Sequence, residues 1–171
     1  MMDERCDGRS NFFGNLNLKR FSVATWNIRS LKPKIEDVAD ILERKAVDIC
    51  SFQETKMDNL DEVWQNHRFI CHDRGKENMH YGMGFAIWKE LEVYRLEKVS
   101  DRISLLTLRK RQKWESKNLA PLKKKIYQPD KKNSELTILN AYAPHMGITT
   151  KTPENTEKFY GDLQKVITSL K

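Results

Sequence analysis

Two polar side chains suited to metal chemistry stand at the ends of two neighbouring predicted strands. Asn27 ends the apolar stretch 20–27, and Glu54 follows the apolar stretch 47–52. A single helix between the stretches would make the strands parallel, and ligand sites in α/β sheets gather at the carboxyl ends of such strands. A carboxylate beside an amide suits a hard cation such as Mg²⁺. The alternative is that Asn27 ends its strand through local hydrogen bonds and Glu54 is a solvated acid.

Apolar periodicity predicts the elements that must position these side chains. After Ser30, which we expect to cap a helix, the apolar residues recur on one helical face: Ile35, Val38, Ala39 and Leu42. Five further strands are predicted, over 68–72, 84–88, 92–99, 103–108 and 136–142. Because these strands follow one another without long helices, they favour an antiparallel meander. A final helix is predicted with Thr152 as its cap, Pro153 as its first residue and an apolar stripe of Phe159, Leu163, Val166, Ile167 and Leu170.

The composition indicates one globular domain with a locally concentrated positive charge. The chain has 171 residues, 39% of them hydrophobic, and a net charge of +7, so wholesale disorder is excluded. Ten of the 31 basic residues but only two of the 24 acidic ones lie within 109–132. We therefore predict an exposed basic loop at about 110–133 that suits a polyanionic partner, the alternative being a solvated insertion without a partner. The first residues, 1–19, are expected to form a mobile arm.

The chain lacks the features of secreted and membrane proteins. It has no apolar run of the roughly 20 residues that a membrane span needs, and its beginning is not a signal peptide. Three cysteines without paired spacing fit a reducing compartment. We expect a nuclear or cytoplasmic protein, with 109–111 and 123–125 as weak nuclear-targeting runs.

Five short blocks follow one another along the chain: Thr25–Asn27, Gln53–Thr55, Gly82–Ile87, Ser100–Arg102 and Asn140–Pro144. In this order they resemble the endonuclease/exonuclease/phosphatase superfamily, and most closely the endonuclease domains of non-LTR retrotransposons. Each tripeptide alone is a weak signal, but five in sequence are strong. The likeness runs from about residue 21 to the end of the chain, interrupted by the basic loop.

The resemblance implies a deoxyribonuclease-I-like α/β fold, in which two packed β-sheets are flanked by helices, and Mg²⁺-dependent cleavage of phosphodiesters, with Mn²⁺ as the alternative metal. It makes Glu54 the metal ligand and Asn27 an organiser of the metal and phosphate site. Tyr142 would place its phenol near the scissile phosphate of double-stranded DNA. The residues expected to contact the backbone of this DNA are Arg102, Lys123, Lys124, Lys125 and His145.

The chain departs from the family where the second half of the catalytic set should follow. The Gly-Asp-x-Asn and Ser-Asp-His blocks, which supply a further metal-side group and the general base, are missing. Gly161–Gln164 imitates the first block but lies within the final predicted helix. We therefore expect an incomplete sandwich without its C-terminal strands, with exposed apolar sheet surface and a free edge that invites self-association or a complementing chain. Such a chain would be inactive alone.

Two other functions stay open. The first is a non-catalytic nucleic-acid-binding fragment that acts through the basic loop. The second is a lipid or inositol phosphatase of the same superfamily, which the Ser100–Arg102 and Asn140–Pro144 blocks disfavour relative to a nuclease. Metal-dependent cleavage that is lost on Glu54→Ala would favour the enzyme, whereas binding that persists in EDTA would favour the fragment.

Overall fold

The computed structural model describes residues 21–72, 81–109, 135–144 and 153–170. The predicted arm over 1–19, the basic loop at about 110–133 and the proposed cap Thr152 lie outside these residues. The strands of the described part are β1 (Val23–Asn27), β2 (Ile49–Gln53), β3 (Leu60–Trp64), β4 (His67–Cys71), β5 (Met83–Trp88), β6 (Glu92–Ser100), β7 (Ile103–Arg109) and β8 (Glu135–Ala141). Its α-helices are α1 (Ile35–Arg44) and α2 (Pro153–Ser169), and a 3₁₀ turn, Lys32–Lys34, leads into α1.

The strands form two sheets. The first has the order β1-β2-β5-β4-β3, and only its β1–β2 pair is parallel. The second is the antiparallel meander β6-β7-β8. The parallel β1-α1-β2 unit predicted from the sequence is confirmed. The predicted meander of five strands is confirmed only for its last three, because β4 and β5 pair with each other inside the first sheet and β5 pairs onward with β2.

Four layers stack as helix, sheet, sheet and helix, because each sheet buries both of its faces. The apolar face of α1 packs on one side of the first sheet, against residues such as Phe52 and Phe69. The other side of that sheet meets the second sheet through Phe85, Ile87 and Leu106, which are all almost fully buried. The remaining face of the second sheet is covered by α2, whose buried residues include Phe159 and Val166.

Strand alternation explains how one strand serves two layers. In β2, Cys50 and Phe52 face α1, while Ile49 faces the second sheet. Gln53, four residues after Ile49, therefore also faces the second sheet, where its side chain is buried. This alternation carries a polar side chain from the end of β2 into the space between the sheets.

Three sequence expectations need correction. Ser30 does not cap α1: its φ of 87° places it in the preceding loop, the cap position belongs to Lys34, and no side chain caps the helix. Strand β3 was not predicted, because only Leu60 of its residues is buried. The expected apolar exposure is confined to outer strands: the two sheets and α2 cover the central strands, whereas Val23 on β1 and Val63 on β3 are exposed.

The edges and the final helix follow the prediction more closely. Within the described residues four strands pair on one side only and so present a free edge: β1 and β3 in the first sheet, β6 and β8 in the second. Gly161–Gln164 lies inside α2, as its periodicity indicated. No helix of the described residues is long and apolar enough to cross a bilayer.

Candidate active site

Asn27 and Glu54 meet at the carboxyl ends of the two parallel strands. The β1–β2 register pairs Asn27 with Gln53, so Glu54 is the first residue past the last pair. The side-chain amide of Asn27 donates from Nδ2 to Glu54 Oε1 over 2.9 Å. The predicted proximity of these two residues follows directly from the parallel pairing.

Tyr142 reaches the same carboxylate oxygen from the second sheet. It follows β8 directly, and its phenol donates to Glu54 Oε1 over 2.5 Å. The side chains of Asn27 and Tyr142 thus both donate to one oxygen atom of Glu54, and the three residues lie at the ends of three strands. The structure brings together all three side chains that the resemblance assigned to the catalytic site.

The loops that carry this site adopt strained backbone conformations. Four non-glycine residues here have left-handed φ values: Arg29 at 49°, Ser30 at 87°, Glu54 at 55° and Lys56 at 51°. Such conformations cost free energy for a residue with a Cβ, and they persist only where the surroundings hold them. Clusters of them are typical of functional sites.

Backbone hydrogen bonds hold the strained Glu54 loop on both sides. On the β1 side, Ser30 N donates to Glu54 O over 2.7 Å and Leu31 N donates to Thr55 O over 2.9 Å. On the other side, Thr55 N donates to Gly82 O over 3.1 Å. Gly82 is required there, because its φ is 117° and a Cβ would lie 2.4 Å from Thr55 Oγ1. The carboxylate is therefore presented by a rigid loop.

A buried polar network sets the second sheet, and with it Tyr142, against the first. Gln53 Nε2 donates to Asn140 Oδ1 over 2.7 Å and to Thr25 Oγ1 over 2.9 Å. Asn140 Nδ2 donates to the carbonyl oxygens of Phe52 at 3.0 Å and Gly84 at 3.3 Å. Because Asn140 lies two residues before the phenol, these bonds fix the distance between β8 and the end of β2.

The hydrogen bonds set opposite protonation preferences on the two partners. The pKa of Glu54 is lowered, first by the Tyr142 hydrogen bond, then by that of Asn27, with smaller help from the charges of Arg29 and Lys56. Burial raises the pKa of Tyr142 to about 12, and its bond to Glu54 adds to the rise. At neutral pH the site therefore holds an ionised carboxylate and a protonated phenol, which acts as a hydrogen-bond donor and not as a base.

The donor set fits the divalent cation that the fold family implies. Glu54 is ionised, and its Oε2 accepts no hydrogen bond from any residue of the described part of the chain. Mg²⁺ in proteins is bound by one or two carboxylates, with water and substrate phosphate completing its coordination. The described residues contain no group of three or more His, Cys, Asp or Glu placed to hold a metal. Glu54 would thus be the protein's carboxylate ligand, with Asn27 beside it.

Of the residues predicted to contact DNA, only Arg102 falls within the described part of the chain. It lies in the turn between β6 and β7, beside the end of β8 that carries Tyr142. Its Nη1 donates to the backbone oxygens of Tyr142 and Ala143, at 3.2 and 3.4 Å. Its guanidinium is thus turned towards the protein's own backbone, and its contact with DNA phosphate stays a prediction. The four predicted contact residues that lie outside the described ranges are Lys123, Lys124, Lys125 and His145. Their contacts with DNA stay predictions as well.

Sequence reasoning missed two groups that shape the site. Gln53 was considered only as part of the Gln53–Thr55 sequence block. A polar residue that ends an apolar strand could have indicated a buried hydrogen bond between the sheets. Tyr81 was not singled out, yet its ring lies 6.5 Å from that of Tyr142, with the ring planes at 63°. Nothing in the local sequence around Tyr81 points to this contact.

Residues 24–110, which run from β1 to the end of β7, match the Endonuclease/Exonuclease/phosphatase family. The chain belongs to this family. The matched stretch contains Asn27, Glu54 and Arg102. Tyr142 lies beyond this stretch and joins the site through β8. No curated protein matches the sequence significantly.

Two solved structures confirm the family's deoxyribonuclease-I-like fold. The crystal structure of the Xenopus laevis APE2 catalytic domain superposes with a TM-score of 0.57 at 15% identity, covering 83% of this chain and 51% of that one. The AP endonuclease LMAP from Leishmania major superposes with a TM-score of 0.56 at 18% identity, covering 85% of this chain and 47% of that one. This member of the family therefore spans about half the length of the solved chains that it matches.

Proposed function

We propose that the site formed by Asn27, Glu54 and Tyr142 is a phosphodiester-cleaving site of the retrotransposon endonuclease type. The observation that carries this proposal is the convergence of an amide and a phenol on Glu54 Oε1, at 2.9 and 2.5 Å. One ionised carboxylate, held by two donors on a rigid loop, matches what binding of a hard cation at a phosphate requires. The five sequence blocks favour the retrotransposon type.

Each side chain has a distinct role in this proposal. Glu54 would hold Mg²⁺, which would neutralise charge on the scissile phosphate. Asn27 orients the carboxylate through its amide. The phenol of Tyr142, protonated because its pKa is about 12, donates a hydrogen bond to a phosphate oxygen as negative charge develops there. Because the phenol has a single O–H, this bond to phosphate replaces its bond to Glu54 Oε1, which couples substrate binding to the release of that carboxylate oxygen.

The general base is not among these three side chains. Within the described residues no histidine is hydrogen-bonded to them, and His67 instead bonds the Val47 carbonyl in the core, over 2.8 Å. We propose that attack of water needs a base from outside the described site, supplied by self-association or by a complementing chain. The free edges of β1 and β8 support this proposal, because unpaired strand edges accept further strands.

Nicking of supercoiled plasmid by the purified chain tests the enzymatic proposal. The assay is run in Mg²⁺, Mn²⁺ and EDTA, with Glu54→Gln beside the wild type and Glu36→Gln as a matched control on the exposed face of α1. Metal-dependent nicking that is lost in E54Q but kept in E36Q would support the site and contradict inactivity of the chain alone. Equal nicking by wild type and E54Q would contradict the site.

Metal binding decides the case in which no nicking is seen. Titration of Mn²⁺ followed by electron paramagnetic resonance should show a site in the wild type and in E36Q that is lost in E54Q. This result would support a catalytic site that binds metal but lacks its general base. Absence of the site in the wild type would overturn the proposal.

The second candidate is a non-catalytic DNA-binding fragment, favoured by the ten basic residues within 109–132. Its affinity for duplex DNA should be insensitive to EDTA and to E54Q. The affinity should fall with salt at a log–log slope of about −0.9 per phosphate neutralised, and replacement of Lys123, Lys124 and Lys125 by glutamine should reduce this slope. Release of phosphate from a soluble phosphomonoester, without plasmid nicking, would instead favour the phosphatase alternative.

A further inference from the structure

Arg102 is bonded to the backbone that carries the catalytic phenol. Its Nη1 donates to Tyr142 O at 3.2 Å and to Ala143 O at 3.4 Å, while Tyr142 N donates to Arg102 O at 2.9 Å. The two residues thus hold one another through bonds in both directions. The Arg102 backbone is itself held, because its N–H donates to Ser100 Oγ at 3.2 Å.

The ring of Tyr81 also packs against the Arg102 guanidinium. The Arg102 guanidinium carbon lies 4.1 Å from the centre of the Tyr81 ring and 5.3 Å from that of the Tyr142 ring. Such cation–π contacts and the fork of N–H donors together define one orientation of the planar group. Tyr81 O in turn accepts a hydrogen bond from Lys56 N at 3.1 Å, which ties the stack to the Glu54 loop.

Tyr142 needs this support because its strand has ended. Strand β8 stops at Ala141, so the ladder no longer fixes the backbone at Tyr142. A phenol that must stay within 2.5 Å of Glu54 Oε1 requires a fixed backbone beneath it. The backbone bonds from Arg102 are positioned to provide this.

We propose that Arg102 is a positioning residue, which clamps the Tyr142–Ala143 backbone and stacks on Tyr81, and so places the phenol on Glu54. This inference deepens the proposed function and rests on the assignment of Tyr142 to the reacting site. It gives Arg102 a role different from the predicted contact with DNA phosphate. The two roles predict different outcomes for the same variants.

The first test is spectroscopic and needs no activity. The full chain is labelled with ¹³Cζ-tyrosine, which gives one signal for each of its five tyrosines, and the Tyr142 signal is assigned by its loss in Y142F. We expect Arg102→Met to move the Tyr142 signal towards that of an exposed tyrosine such as Tyr160. Arg95→Met, which removes an exposed arginine on β6, serves as the control and should leave the signal in place.

The second test separates positioning from DNA contact by kinetics. This test applies if the wild type nicks plasmid, alone or with a complementing chain. For R102M we then expect a loss in kcat of about 10- to 100-fold, the range that a misplaced catalytic group produces, with KM and the salt dependence unchanged. Arg102→Lys keeps the charge but not the forked donors, so it should not restore kcat. A rise in KM with a shallower salt slope, rescued by lysine, would show phosphate contact and overturn the proposal.

The two tests separate failure of this inference from failure of the proposed function. If R102M leaves the Tyr142 signal unmoved, the clamp is refuted whatever the activity. If the signal moves in R102M and also in R102K, which keeps a cation beside the ring, but the wild type neither binds metal nor nicks DNA, the clamp stands and the proposed function fails. Urea unfolding of R102M and R102K shows which of the two variants is folded. The signal and the kinetics are then compared with those of the wild type for the folded variant.

Discussion

Replacement of Asn140 by alanine should destabilise the protein markedly, although Asn140 does not touch the carboxylate of the site. Its side chain is 2% exposed and makes three hydrogen bonds, to Gln53, Phe52 and Gly84. A buried hydrogen bond contributes about 0.5–1.5 kcal/mol net, so three of them correspond to about 3 kcal/mol. For a chain of this size we expect the melting temperature to fall by about 6–12 °C.

Urea unfolding followed by circular dichroism measures this loss, with Asn27→Ala as the matched control. Asn27 is the same residue type at an exposed position, where its amide bonds Glu54. Because water can replace the amide at this position, N27A should cost less than N140A. A double-mutant cycle of Gln53→Ala with N140A should be non-additive, because the two side chains are 2.7 Å apart. A loss for N140A no larger than that of N27A would refute the idea that this network joins the sheets.

Three further predictions concern protonation, backbone strain and thiol burial. Because the pKa of Glu54 is lowered by the phenol and amide hydrogen bonds, its share of stability is present above its ordinary pKa of 4.5 and disappears as the pH falls through the lowered value. Glu54→Gln should therefore flatten this part of the curve of unfolding free energy against pH. Gly82→Ala should cost more than about 1 kcal/mol in urea unfolding, since φ is 117° and the new Cβ meets a buried threonine hydroxyl at 2.4 Å; a neutral effect would contradict the tight loop. Burial raises the pKa of both Cys50 and Cys71 to about 12, so in a Cys6→Ser background Ellman's reagent at pH 8 should modify neither thiol before the chain is unfolded.

Local pattern was sufficient for most of the fold. The strand–helix–strand start, the meander and the final helix follow from periodicities of 2 and 3.6, which depend only on which side chains must be buried. Strand β3 escaped prediction because three of its five residues are exposed and the strand owes its place to pairing with β4. Ser30 was misassigned because its backbone follows the Glu54 loop, to which it bonds across the strand ends. A local sequence pattern contains neither of these long-range pairings.

The sequence by itself determined that Asn27 and Glu54 lie side by side, since parallel strands joined by one helix end at the same sheet edge. Together with the family resemblance, it also selected Tyr142 as their partner. Only the tertiary structure decided that the amide and the phenol share one oxygen of Glu54, and that Gln53 and Asn140 set the spacing of the sheets. It also decided that Arg102 turns towards Tyr81 and Tyr142. The physical reason is that hydrogen-bond geometry at a few tenths of an ångström depends on how two sheets pack, and packing joins residues as far apart as 53 and 140.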